Sequence, residues 1–506
     1  MTGTKYLKLF ETHAEYQTYI NGQDSILPNV SYCEDNNDVH YNPWTWAETY
    51  LTTVALENGT ISFNIWQSMG TDMITSISYS TDNGETWTTT ANQDNKSENL
   101  TIDVNVNTGD TILWKGTATQ TGYYDADNYG DTVGSFFSST CEFDVKGNVM
   151  SLLYGDNYKG QTILEEDGAI CCLFYDYYEE KTCGIVNAKD LSLPATTLAE
   201  YCYKYMFYDC TSLVTAPELP ATTLAQGVYW YMFEKCAITT APSLPATTLT
   251  ENCYNSMFDG CTSLTTAPEL PATILTEYCY YSMFAGCTSL VTAPSLPATT
   301  LAEVCYYSMF AGCTSLVTAP SLPATTLVED CYNGMFRNCT ALVNAPVLPA
   351  TTLADGCYNG MFIGCTSLVN APELPATTLA VYCYQSMFSG CTNLTTAPEL
   401  PATTLTANCY YGMFQGCTSL TTAPDLLATI LASRCYYNMF NGCTSLNYIK
   451  AMFTTTPSGS SPNYYTTDWV NGVSATGTFV KNSAAQWNVS GVHGIPSGWT
   501  VETASE

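Results

Sequence analysis

Residues 193–218 read LPATTLAEYCYKYMFYDCTSLVTAPE, and this stretch decides the fold. The 26-residue unit recurs ten times to about Ala451, with a Met-Phe pair marking the register at Met206, Met232, Met257, Met283, Met309, Met335, Met361, Met387, Met413 and Met439. Every step is 26 residues except Met232 to Met257, where CAITTAP replaces CTSLxxAP and one residue is missing. A period of roughly 20–29 residues with Leu at fixed offsets marks a leucine-rich-repeat array, in which a unit that cannot bury its apolar face alone does so by stacking. The unit predicts a short strand at 212–219 with Leu213, Ala216 and Leu219 inward. Opposite it, a short helix or turn around 198–207 would point Leu198, Cys202, Met206 and Phe207 inward. Pro217 and Pro220 lack an N–H and must interrupt any ladder. At about 4.8 Å per strand, the stack is a solenoid roughly 48 Å long.

Working outward, the array at 193–451 needs caps for its terminal core faces. Residues 151–192, with the aromatic run CCLFYDYY, are the expected N-terminal cap, and 452–506 the expected linker and small C-terminal β cap. Residues 50–150 change texture. Ile61, Phe63 and Ile65, then Leu100, Ile102, Val104 and Val106, alternate with polar residues, as strands with one buried face do. An antiparallel, Ig-like β-sandwich is the expectation there. Residues 1–49 are aromatic and irregular and are expected to be an anchoring arm. The fold class is thus mainly β with short helices: a leucine-rich-repeat solenoid preceded by a β-sandwich and ended by a β cap.

Composition excludes several functions. Fourteen Lys and Arg against 46 Asp and Glu give a net charge of −32, so the chain will not track a phosphate backbone or dock on an anionic membrane. No window approaches the length of apolar sequence a membrane span needs, and the first residues show no apolar leader, which predicts synthesis and folding in a cytoplasm. The arginines are Arg337 and Arg434; the histidines are His13, His40 and His493. No nucleophile has an evident base nearby and no Gly-rich phosphate loop exists, so no catalysis and no cofactor are expected.

Three motifs need weighing. Residues 80–87, STDNGETW, resemble the Asp-box of sialidases but occur once, and read as a hairpin turn. The 125–131 segment, with Asp125, Asp127 and Asp131, resembles part of a calcium loop but has Phe136 where a bidentate Glu belongs, so an acidic surface loop is the better reading. Of 24 cysteines, most fall in two columns, one from Cys202 to Cys435 with Val228 interrupting and one from Cys210 to Cys443. Zinc is not expected, because CxxC pairs are absent and His is scarce. Reduced, packed thiols are the expectation, since a slot that accepts Val228 asks only for a small apolar group.

The pattern LPxxxLxxxCYxxMFxGCTSLxxAPxLP resembles the BspA-like leucine-rich repeat family, which includes Bacteroidetes surface proteins and Bacteroidales phage virion proteins. The stretch YLKLFETHAEYQTYI and the tail WVNGVSATGTFVKN…GIPSGWTV look like modules of Bacteroidales phage virion proteins. The resemblance implies a virion structural or fibre protein that displays the array for adhesion to a host-surface glycan or protein. Its implied partners are other virion proteins, met through the N-terminal arm, with a homo-oligomer as an open alternative. The competing reading is a bacterial cell-surface adhesin of the BspA type whose secretion signal is missing from the chain.

Variation among repeats points to a ligand face. One variable column precedes the first cysteine and includes Tyr201, Tyr278 and Tyr382; a second holds Lys204, Trp230, Asn255, Tyr281, Tyr307, Asn333, Asn359, Gln385, Tyr411 and Tyr437. Exposed Tyr and Trp combine a flat apolar face with a polar tip, which suits sugars and protein surfaces. The candidate ligand-binding residues are therefore Trp230, Tyr281, Tyr307, Tyr411, Tyr437, Tyr201, Tyr278 and Tyr382. A Thr-rich column, from Thr215 through Thr318 to Asn370, varies less and is the next candidate.

Overall fold

The computed structural model describes residues 8–10, 30–33, 39–40, 48–65, 74–91, 100–118, 120–125, 131–177 and 181–504. The chain is mainly β. Strands β1 (Lys8–Phe10), β2 (Val30–Cys33) and β3 (Val39–His40) form one small sheet. Apart from residues 48–49, the rest of the expected arm, including His13 and residues 42–46, lies outside the described residues, as does the 126–130 part of the acidic loop.

Strands β4 (Leu51–Ala55), β5 (Gly59–Ile65), β6 (Ile74–Ser80), β7 (Thr88–Ala91), β8 (Leu100–Val106) and β9 (Thr111–Ala118) come next. The hairpin β10 (Gly122–Asp125) with β11 (Asp131–Gly134), then β12 (Phe136–Ser139) and β13 (Phe143–Asn148), lead to the short helix α1 (Ser151–Tyr154). A second hairpin pairs β14 (Tyr175–Asp176) with β15 (Lys181–Thr182), and β16 (Ile185–Ser192) follows. Apart from these two hairpins, the strands sort into a sheet β12-β5-β8 and a larger sheet β16-β13-β4-β9-β6-β7. Alternation in β8 turns Ile102, Val104 and Val106 inward, and β9 contributes Ile112 and Trp114. The two inner faces share a core: Phe137 lies 4.8 Å from Phe63 and 5.3 Å from Trp114, ring centre to ring centre. Between β6 and β7, the Asp82 carboxylate accepts hydrogen bonds from the Thr86 hydroxyl and N–H at 2.6 and 2.9 Å and from the Ser80 hydroxyl at 2.7 Å. These donors, the Thr86 hydroxyl foremost, pull its pKa down to about 2. The Asp-box-like run is therefore a braced turn, with Asn83 and Gly84 left-handed at φ 58° and 91°.

In the repeats the expected strand contracts to isolated parallel bridges, such as Thr215 with Thr240 and Thr292 with Thr318. Leu213 and Leu219 are buried as the pattern requires, whereas Ala216 is half-buried. Leu198 is half-buried in the first unit; its later equivalents, from Leu224 to Leu379, are buried. The opposite wall is a run of turns without helix. Its backbone donors alternate. The N–H groups of Tyr203, Tyr205 and Phe207 donate to the carbonyls of Val228, Trp230 and Met232 in the next repeat at 3.1, 3.1 and 3.0 Å. Those of Lys204, Met206 and Tyr208 donate back three residues, at 3.0, 3.2 and 3.2 Å. Threading both sets through one chain requires a left-handed residue every fourth position: Tyr201, Tyr205 and Asp209 stand at φ 57°, 58° and 54°. The third of these columns is mostly glycine further along, and Gly286 packs so tightly that an added Cβ would lie 3.3 Å from the Gly260 Cα.

The stack extends past the repeat pattern at both ends. The N–H groups of Ile170, Cys172 and Phe174 donate to Cys202, Lys204 and Met206, each at 3.0 Å, so the cap region supplies a rung of its own. At the other end Arg434, Tyr436, Phe440 and Gly442 donate to Asn463, Tyr465, Trp469 and Asn471 at 3.0, 3.0, 2.8 and 2.8 Å. Residues 463–472, read from sequence as the end of a linker and the start of a cap, thus form another rung with Trp469 in the phenylalanine slot. Three parallel strands, β17 (Tyr448–Ala451), β18 (Thr478–Lys481) and β19 (Thr500–Thr503), close that end. At the near end, Asn187 of β16 pairs with both Asp144 and Thr215, so the large sheet passes directly into the bridge column.

The core is built from columns. Phenylalanines stack along the array, as in Phe207–Phe233 at 5.3 Å and 8° and Phe388–Phe414 at 5.7 Å and 11°. Burying each such ring contributes about 1.5–3 kcal/mol, and aromatic geometry adds about 0.5–1.5 kcal/mol. The 23 cysteines with described side chains are all free and buried. In the second column each thiol donates to the phenylalanine carbonyl of the preceding repeat, for example Cys236 to Phe207 at 3.0 Å and Cys261 to Phe233 at 2.9 Å. Burial pushes the Cys253 and Cys339 thiols up from 9.0 to about 12.

Two predictions follow from this packing. Thiol titration of unreduced protein in denaturant should find essentially all 24 cysteines reactive, while the native chain resists modification; several disulfides per chain would contradict the thiol columns. Because the folded pKa values lie above the unfolded one, the thiol contribution to stability is complete below about pH 9 and declines as pH rises toward 12. Second, Gly286→Ala, at φ 69°, should cost about 1–2 kcal/mol by urea denaturation, whereas Val304→Gly, at φ 59°, should stabilise.

Candidate binding cleft

The column holding Tyr201, Tyr278 and Tyr382 is the first left-handed position of each turn wall, at φ 57°, 54° and 58°. Its variety is therefore not free drift: Gly227, Asn252, Gly356 and Asn408 are residues that tolerate this conformation, and the others bear its strain. Tyr278 and Tyr382 are exposed, at 37% and 44%, while Tyr201 is buried at 6%.

The second column divides into three parts. At its start Trp230 and Tyr201 surround the chain's own Lys204, whose ammonium lies 4.3 Å from the Trp230 ring centre and 5.6 Å from that of Tyr201. Tyr281 and Tyr307 stack at 5.0 Å and 8°, with Tyr278 at 6.1 Å from Tyr281. Tyr411 and Tyr437 stack at 4.7 Å and 5°. The eight candidates thus form three separate groups plus Tyr382, rather than one face. The stacked pairs also cover each other's ring faces, so toward solvent they present edges and hydroxyls.

Between the two tyrosine pairs lies an open cleft of about 230 Å³, spanning the rungs from Tyr307 to Gln385. Asn333, Asn359 and Gln385 occupy the tyrosine column there, with Gly334 and Gly360 beside them where neighbouring rungs have Ser308 and Ser386. Arg337 and Ile363 form the far rim. Glycine keeps the floor open: a Cβ on Gly360 would come 2.8 Å from Ile363. Sequence reasoning placed Asn333, Asn359 and Gln385 in a variable column but selected only aromatics. The available signal was the interruption itself, three amides between tyrosine pairs, with one of the chain's two arginines four residues after Asn333.

A model of the BspA type leucine rich repeat region matches residues 183–317, 256–372 and 358–466, in six copies. The chain belongs to the BspA-type leucine-rich repeat family. No curated protein and no solved structure matches the chain. BspA-type repeats are a surface or adhesion-type module, a scaffold for interaction, and the matched family is not an enzymatic one. Among the described residues no group of His, Cys, Asp and Glu is placed to hold a metal ion, and no helix is long and apolar enough to cross a membrane.

The BspA-type wall carries one electrostatic irregularity. Glu234 and Asp259 follow one another in the column that later holds Arg337. Burial, then the Asp259 charge, raises the Glu234 pKa from 4.5 to about 7, although the Lys235 ammonium stands 3.5 Å away; burial raises Asp259 to about 6. With folded values above unfolded ones, the contribution of these carboxyls is complete below about pH 4 and is lost as pH rises through 6 to 7. Glu234→Gln should therefore raise the melting temperature at pH 8 and leave it nearly unchanged at pH 4; equal shifts at both would refute the ionisation argument.

Proposed function

We propose that the repeats form a ten-unit, 26-residue solenoid carried on an antiparallel β-sandwich, and that this solenoid is a non-enzymatic adhesion module of a phage virion. One observation supports adhesion most: on a nearly invariant backbone and core, the solvent-facing turn-wall positions differ from rung to rung, from Tyr307 to Asn333 to Gln385 to Tyr411. A scaffold that holds its core constant while altering presented side chains is suited to recognition. The virion assignment rests on the likeness of the N-terminal stretch and C-terminal tail to Bacteroidales phage modules. Residues 1–49 then dock the protein on the particle, and the solenoid projects toward a host-surface glycan or protein.

The BspA-type repeats equally suit a bacterial cell-surface adhesin, so the test must separate the two locations. Purified phage particles should contain the protein by mass spectrometry. Deletion of residues 1–49 should leave the melting curve of the repeats intact but remove the protein from particles. Protein found on protease-shaved bacterial surfaces and absent from particles would select the adhesin reading instead.

A further inference from the structure

We propose that the cleft between Tyr307 and Gln385 binds an oligosaccharide bearing a single carboxylate, with Arg337 receiving the acid group. This deepens the adhesion reading and rests on it.

Three features of the cleft select that chemistry. The first is unused polar capacity. Asn333 donates one amide hydrogen to Asp330 at 2.8 Å, and among the described residues its carbonyl oxygen and the side-chain amides of Asn359 and Gln385 meet no hydrogen-bond partner. Amides that both donate and accept match the vicinal hydroxyls of a sugar, each also donor and acceptor. The second feature is the wall. Tyr281 covers one face of the Tyr307 ring, and Tyr307 lines the cleft end beside Asn333, so its ring edge and hydroxyl border the space a sugar would occupy. On this wall neighbouring rungs bring their rings to 5.0 Å at Tyr281–Tyr307 and 4.7 Å at Tyr411–Tyr437, a length comparable with one pyranose in an extended chain.

The third feature is charge. Arg337 is exposed, lines the cleft, and among the described residues has no ion-pair or side-chain hydrogen-bond partner, in a chain with a net charge of −32. Its planar fork matches a carboxylate in a bidentate manner. Asp330, beside Asn333, and Asp355, bonded to the Val381 N–H at 2.8 Å, stand on neighbouring rungs, and the whole chain repels polyanions. A densely charged or sulfated polymer is thus disfavoured, and one isolated acid among neutral sugars is accommodated.

The test uses the full chain and calorimetric titration with trisaccharides carrying one glucuronate or galacturonate, their carboxyl-reduced counterparts, and a sulfated trisaccharide. Binding of a uronate form at least about tenfold tighter than its reduced form, with a similar loss in Arg337→Gln, is the expected result, equal to about one charge-assisted hydrogen bond. Asn359→Ala should weaken both acidic and reduced forms together. A melting curve for each variant excludes misfolding. Equal binding of acidic and reduced forms, preference for the sulfated sugar, no binding of any probe, or an unaffected Arg337→Gln would overturn the assignment. Binding of the intact protein to host cells, measured alongside, separates the two levels. Retained by the Arg337→Gln/Asn359→Ala/Gln385→Ala variant, it rejects the cleft while adhesion stands; missing from the unaltered protein, it rejects adhesion itself.

Discussion

Everything in the repeat array depends on where the turn wall sends its backbone N–H groups. A buried wall cannot leave donors unpaired, and this one forms neither helix nor extended strand. Sending alternate donors to the next repeat and the rest back three residues satisfies them, but only if the chain enters the left-handed region every fourth residue, as at Ser282 and Gly286 with φ 47° and 69°. The narrow columns of Phe, Tyr and Cys follow, because equal hydrogen-bond lengths between rungs place equivalent side chains directly over one another. Tyr254, Tyr280, Tyr306 and Tyr332 stack at 5.7–5.9 Å for that reason.

The same constraint shows what could be read from the sequence. The period, the Met-Phe register and the buried cysteine columns were legible, because packing repeats each side chain at the same offset. The character of the wall was less so: Cys202, Met206 and Phe207 have the spacing of a helix face, and only the recurrence of Gly, Asn and Ser at every fourth position betrays the turns. The far end was hidden because Trp469 replaces phenylalanine and nine residues of Ser- and Pro-rich chain separate Phe453 from Asn463. Constancy also proved an imperfect sign of burial. Thr299 and Thr300 are exposed, yet their equivalents hardly vary; β-branched residues suit the bridges that form there, such as Ile274 with Thr300.

The candidate face was legible in part. The variable columns do lie on the turn wall, but pairing between rungs is a three-dimensional fact that a column of letters does not carry. Tyr281 and Tyr307 cover one another, and Trp230 covers Lys204, so aromatic abundance overstated the accessible ring surface. The cleft arises where the aromatics stop, and its floor is a consequence of two glycines placed for backbone reasons.

The phenylalanine column does not begin with the first repeat. Phe63 meets Phe137, which meets Phe174 at 5.5 Å, which meets Phe207 at 5.0 Å, and the series continues to Phe440 and Trp469. Among the described residues the N-terminal sheets and the repeats therefore share one continuous series of aromatic contacts. Pulled from its ends, such a body meets load with hydrogen bonds aligned along the direction of force. It should yield by parting rung from rung, in sequence from the weakest junction, so that a tether gains length in small increments rather than failing at once.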